Sequence, residues 1–166
     1  MQKFALWLAN VVSGWLPTTR MFRLRAMLFR AGGVVISRDA RIAGGVKIPF
    51  RAVAIGAGCW IGPGVHLIAA SGAPIIIEPH CDLAPEVMIV VGSHDLGPRN
   101  RRAGRGTARP VTIRSGSWLG ARATILGGVT FGPASVAAAG ALVTKNVAPD
   151  QLVAGVPARP VRTLES

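Results

Sequence analysis

The sequence predicts an all-β fold in which short parallel strands wind as stacked coils, and three observations lead there. Apolar residues recur every six positions, most clearly at Ile113, Leu119, Ile125, Phe131, Ala137 and Val143. Neither an alternating strand of period two nor a helix of period 3.6 sustains that step. The composition, with 21 Gly, 12 Pro, no Tyr and 16% charged residues, suits tight turns and short strands better than long amphipathic helices. Lastly, the fifth residue of most units is small or β-branched, as at Val65, Val87, Ala123, Val129, Ser135 and Ala141.

Residues 1–32 stand apart and are expected to form a helical cap. Lys3, Arg20, Arg23, Arg25 and Arg30 lie there among Leu, Phe, Trp and Met, with no acidic residue. Two roles fit: a cover over the open end of the coils, which is the preferred reading, and an interfacial helix resting on an anionic membrane. The apolar run 4–16 is interrupted by Asn10 and Ser13 and ends at Pro17, short of the roughly 20 residues a spanning helix needs. No export signal is clear. The expected location is cytoplasmic, peripheral to the inner membrane face if the helix touches lipid.

Residues 33–166 carry the repeat. Ile55, Ile61 and Leu67 form one run, Ile77, Leu83 and Ile89 a second, and the six residues from Ile113 to Val143 the third, while Val34, Ala40 and Val46 hold the step more weakly. Each unit buries its first residue, and a second inward position accepts only a compact side chain. Stacking the coils pairs the backbone in parallel sheets and builds one continuous core, so no unit is stable alone. The period breaks twice. Between Leu67 and Ile77 the step is ten, with Gly72-Ala73-Pro74 as the expected kink. Between Ile89 and Ile113 lies a long excursion loop, 94–110, rich in Arg and Gly. Such excursions from a regular scaffold are where binding and chemistry concentrate.

The formal charge of +12 suits nucleic acid, an anionic membrane or a phosphorylated small molecule. An RNA-binding aromatic signature, zinc-finger spacing and a helix-turn-helix pattern are all missing, so no nucleic-acid partner is expected. Cys59 and Cys81 are too few and too distant for a disulfide framework or a metal pair and read as reduced core thiols.

The units resemble those of the hexapeptide-repeat acyltransferases from about Val34 to Leu164. Ser117-Trp118-Leu119-Gly120-Ala121, Ile125-Leu126-Gly127-Gly128-Val129-Thr130, Ala139-Gly140-Ala141-Leu142-Val143-Thr144-Lys145 and Ala154-Gly155-Val156-Pro157-Ala158-Arg159 look like that family's closing coils and tail, in order. Ser93-His94-Asp95 looks like its catalytic segment. These pieces are most similar to the galactoside and maltose O-acetyltransferases and to the colanic-acid type of polysaccharide acetyltransferase. Trp60-Ile61-Gly62-Pro63-Gly64-Val65-His66 leans towards the polysaccharide group.

The resemblance implies a left-handed parallel β-helix with an N-terminal helical cap, assembled as a homotrimer with active sites between subunits. It implies an acetyl-CoA-dependent O-acetyltransferase acting on a sugar hydroxyl of a cell-surface glycan or its precursor, without a metal. His94 matches the general base, a task that suits imidazole. Trp118 and Ala121 resemble the lining of the acetyl and pantetheine channel. Ala139, Thr144 and Lys145 match coenzyme A contacts, and Lys145 and Arg159 suit its phosphates. His66 falls where the family places acceptor contacts, and Glu86 and Asp95 are further candidates for that role. Asp95 and Glu86 are candidates to orient His94 through its second ring nitrogen.

Other readings stay open. N-acetylation of an amino sugar or xenobiotic fits the same fold, as does a non-catalytic β-helical scaffold. A γ-carbonic-anhydrase-like zinc site on His66, His80 and His94 is disfavoured, because the three are each fourteen residues apart and that family pairs two ligands closely. Arg99, Arg101, Arg102 and Arg105 fit either an anion grip or a solvated loop edge. Gly62 stands near the position where galactoside-type enzymes carry an acceptor-binding asparagine. Ala137 and Ala138 replace the more usual Ile-Gly pair, a packing change that leaves the cofactor path open.

Overall fold

The chain begins with two helices, α1 (Gln2–Trp15) and α2 (Phe22–Ala31). The computed structural model describes residues 2–165 and the side chains of 4–165; Met1, Ser166 and the Lys3 side chain of the basic N-terminal set lie outside the described residues. Helix α1 stops before Pro17, which has no N–H to continue the ladder. Met21 then turns the chain in the left-handed region, at φ 58°. Arg25 of α2 is fully buried and clamps this joint. Its guanidinium donates to the carbonyls of Leu16 at 2.9 Å, Pro17 at 2.6 Å and Ser13 at 3.3 Å, and to that of Arg20. Leu6, Ala9, Ala26 and Phe29 bury the inner sides of both helices in the core of the first coil.

The coils follow in order. The first holds β1 (Val35–Ile36) and β2 (Arg41–Ile42), and the second β3 (Val53–Ile55), β4 (Trp60–Ile61) and β5 (His66–Ile68). The third holds β6 (Ile75–Ile77), β7 (Asp82–Leu83) and β8 (Met88–Val90). A hairpin, β9 (Gly92–Leu96) and β10 (Ala103–Ala108), stands out from the stack before the fourth coil, β11 (Val111–Ile113), β12 (Trp118–Leu119) and β13 (Thr124–Leu126). The fifth coil holds β14 (Thr130–Phe131), β15 (Val136–Ala137) and β16 (Leu142–Val143), and β17 (Gln151–Gly155) with β18 (Ala158–Thr163) closes the chain.

Stacking produces three parallel faces: β1-β3-β6-β11-β14, then β2-β4-β7-β12-β15-β17 with β18 added antiparallel, then β5-β8-β13-β16. The register pairs Ile55 with Ile77, Leu83 with Leu119, and Ile89 with Ile125, so the residues of the six-step stack directly upon one another. All are buried in one cluster. At the corner between the second and third faces, Gly45, Gly64, Glu86, Arg122 and Gly140 all have φ between 60° and 75°. That turn is left-handed in every coil, which explains the glycines among its occupants.

The structure corrects two details. In the first coil Ile36 pairs with Ile55 and Ile42 with Ile61, so the primary inward positions are Ile36, Ile42 and Ile48. Val34, Ala40 and Val46 occupy the second inward position instead, level with Val53, Cys59 and Val65. The excursion, expected as a loop, is a two-stranded antiparallel ribbon joined by residues 97–102. Cys59 and Cys81 are buried and free, as expected. The neighbouring Cys59 thiol, together with burial, pushes the Cys81 thiol well up.

Candidate active site

The hairpin leaves the stack at the corner between the third and first faces and carries His94 on β9. Register sets Gly106 opposite His94, where the missing side chain leaves room for the ring. A bulge in β10 between Ala103 and Gly106 turns the Gly104 carbonyl towards that ring, 3.0 Å from Nδ1. A carbonyl can only accept, so Nδ1 donates and carries the proton, which leaves Nε2 with a free lone pair. The imidazole is exposed. Asp95, next along an extended strand, points to the opposite side of the ribbon.

Below the hairpin, Ser93, Thr107, Arg109, Gly127 and Thr144 line a cavity of about 160 Å³. Thr144 also lines a larger one of about 330 Å³, together with Lys145, Asn146, Ala158 and Arg159. Three residues expected at a coenzyme A site are thus gathered, and Thr144 joins them to the root of the His94 hairpin. Two of them, Lys145 and Arg159, are exposed cations.

The remaining expected residues lie elsewhere. Trp118 projects from the second face with its side chain 53% exposed, between Asp82 and Val136 of the neighbouring strands. Ala121 and Ala139 sit on successive turns of the corner between the second and third faces, linked by the Gly140 N–H donating to the Ala121 carbonyl at 2.8 Å. Glu86 shares this corner. His66 lies on the third face between Lys47 and Met88. One chain therefore holds two clusters at different corners: His94, Thr144, Lys145 and Arg159 at one, and Glu86, Trp118, Ala121 and Ala139 at the other.

Two expectations change. The group that orients His94 is the Gly104 carbonyl and not a carboxylate. Glu86 is taken by Arg122, whose Nε donates to Oε2 at 2.5 Å, and this pairing holds the Arg122 guanidinium above its ordinary value. An asparagine at Gly62 is also ruled out sterically, since a Cβ there would stand 2.6 Å from the Leu83 carbonyl oxygen. The corner position open to a side chain is Gly64, two residues on, in the left-handed conformation that asparagine tolerates.

His66, His80 and His94 occupy the third face, the corner between the first and second faces, and the hairpin. Among the described residues no group of three His, Cys, Asp or Glu side chains is placed to hold a metal ion. Sequence reasoning missed Gly104, Arg109 and Arg122. The short-side-chain pair Gly104 and Gly106, opposite the histidine, was the one available signal for the first.

No protein-family model matches the chain. It is similar to the galactoside O-acetyltransferase of Escherichia coli, with 38% identity over 82 residues, 49% of this chain and 40% of that protein. The chain matches half or less of the length of its first curated relatives. In structure it is similar to a hexapeptide-repeat-containing acetyltransferase of Vibrio cholerae, with TM-score 0.79 and 28% identity over 99% of this chain and 92% of that one. A second crystal structure of that Vibrio cholerae protein, complexed with acetyl coenzyme A, gives TM-score 0.76 and 25% identity over 99% and 88% of the two chains. The fold shared with these neighbours is the left-handed parallel β-helix expected from the sequence.

Proposed function

Sharing its repeat and its fold with the hexapeptide-repeat acetyltransferases, this chain is, we propose, an acetyl-CoA-dependent O-acetyltransferase whose acceptor is a sugar hydroxyl of a cell-surface glycan or its precursor. The observation that carries the reading is the Nε2 lone pair of His94, directed by the Gly104 carbonyl and rooted beside the cavity of Thr144, Lys145 and Arg159.

In this reading Nε2 accepts the proton of the acceptor hydroxyl as its oxygen attacks the thioester carbonyl. The tetrahedral oxyanion takes a hydrogen bond from a backbone N–H. It collapses by breaking the carbon–sulfur bond, and the imidazolium returns its proton to the departing thiolate. The products are the O-acetyl sugar and coenzyme A. Lys145 and Arg159 meet the cofactor's phosphates, and the small side chains of Ala121 and Ala139 let its pantetheine arm run close to the backbone beside Trp118. The two clusters lie at different corners of one chain, which supports a homotrimer that brings His94 of one copy to the Trp118 corner of the next. Acetyl-CoA as donor supports a cytoplasmic site of action.

The test is thiol release from acetyl-CoA in the presence of candidate sugars, with wild type and His94→Ala compared at equal molar mass by light scattering. The expected result is acceptor-dependent release that falls by roughly 10²–10⁴-fold in the variant. Full activity in His94→Ala removes His94 as the base, and failure to bind coenzyme A at all removes the enzyme.

A further inference from the structure

Among the described side chains, the solvent side of α1 is apolar from Phe4 to Trp15. Leu6, Ala9 and Ser13 face inward, while Phe4, Trp7, Leu8, Val11 and Trp15 are exposed, Trp15 at 87%. Their spacing of three and four residues places them on one side of the helix. The stripe runs from Phe4 to Trp15, about 17 Å at 1.5 Å per residue. Phe4 and Trp7 stack along it with ring centroids 5.6 Å apart. Met21 in the linker and Leu24 and Met27 on α2 are exposed as well. An ordinary surface helix turns polar side chains outward, and a monomer seldom exposes so continuous an apolar surface.

Arg23 shares a groove with Asp39 and Asp82. The cations left to the stripe are Arg20, exposed in the linker, and Lys47, exposed in a groove of about 300 Å³ with Trp7 and Pro49. A second copy meeting this surface through the same patch would set these cations against their equivalents, which is unfavourable. An anionic phospholipid surface complements both properties, taking the aromatic and aliphatic side chains into its headgroup boundary and the cations at its phosphates. Spanning is not at issue, since no helix among the described residues is long and apolar enough to cross a membrane.

We propose that the outer face of α1, with the exposed residues of α2, docks this protein in the plane of an anionic phospholipid bilayer. Capping and membrane contact are then not competing roles for the helix: its inner face covers the first coil, and its outer face inserts to a depth of roughly 5–10 Å. The inference is independent of the acetyl-transfer reading.

The experiment is flotation of the full chain with phosphatidylcholine vesicles and with vesicles that also contain phosphatidylglycerol, with tryptophan emission recorded in parallel. The expected result is salt-sensitive flotation and a blue shift with the anionic vesicles only. Leu8→Glu with Val11→Glu reduces binding by roughly tenfold or more. Arg20→Gln and Lys47→Gln reduce it by roughly fivefold each. All four positions are exposed, and circular dichroism confirms the fold of each variant. If the double glutamate variant fails to fold, the two single cation variants and the lipid comparison decide. No flotation of folded wild type, or equal flotation on both vesicle types, overturns the proposal. So does a lower molar mass for the double glutamate variant with vesicle binding unchanged, which would assign the face to a second copy.

Discussion

Glu86 and Arg122 occupy the same left-handed turn position in successive coils, at φ 60° and 61°, and their side chains meet at 2.5 Å. Gly45, Gly64 and Gly140 hold that position in the other coils. A side chain there costs backbone energy that glycine avoids, and an exposed ion pair returns little of it. Arg122→Gly is therefore expected to be as stable as wild type or more so. Arg122→Ala keeps the backbone cost and loses the pair, so it falls below both. Denaturant midpoints of the three proteins check this order.

Gly104 is expected to matter to catalysis more than to stability. A Cβ there would stand 2.9 Å from the Asp95 carbonyl oxygen and 3.0 Å from the Gly97 nitrogen. Gly104→Val must shift the bulge and with it the carbonyl that holds His94. Misplacing a reacting group by about 1 Å costs on the order of 10²-fold in rate. Every residue of β9 is exposed, so the melting temperature should barely move. A variant that melts like wild type yet keeps full kcat would show that the Gly104 carbonyl does not position the imidazole.

Arg25→Met should detach α1 from the stack. Four carbonyls of residues 13–20 lose their donor at once. Losing hydrogen bonds to a buried charged group costs about 1.5–3 kcal/mol each at most, and partial rehydration of the freed linker limits the sum to about 3–5 kcal/mol. Limited proteolysis should then cut within 16–21, and leave a resistant fragment beginning near α2.

Glu78 gives stability a pH dependence. Partial burial raises its carboxyl, but the Ser115 N–H at 3.1 Å, the Arg114 guanidinium at 2.8 Å and the Ser115 hydroxyl at 3.2 Å together hold it below the usual 4.5. A carboxyl depressed on folding contributes stability above its unfolded value, and that contribution is lost as pH falls through the folded one. Glu78→Gln should unfold at lower denaturant than wild type at pH 7, with the gap closing as pH falls below about 4.5. An equal gap at pH 7 and at pH 3 would contradict this.

The six-step was legible wherever one inward position is large and the other small, as with Ile61 and Val65 or Ile125 and Val129. In the first coil Val34 and Ile36, or Val46 and Ile48, are both aliphatic, so the pattern fits two registers and backbone pairing decides. The ribbon was hidden for the opposite reason. Residues 92–96 and 103–108 are mostly exposed on both sides and show no alternation, while Arg and Gly imitate a loop. The residue types around the candidate site were readable, but the partner of His94 was not. A backbone carbonyl carries no residue identity, so attention fell on Asp95 and Glu86, the carboxylates that sequence can display.

The antiparallel return of β18 along β17 has a consequence for colloidal behaviour. A stack of parallel coils is a template at each end, and identical chains meeting end to end could grow into a fibre. Helix α2 lies across β1 and β2 at one end. At the other, β18 presents Arg159, Pro160 and Arg162 to any incoming strand. Proline has no N–H to offer such a strand, and like charges on its copy would repel. Chains truncated before Ala158 are expected to lose this stopper and to form filaments as concentration rises.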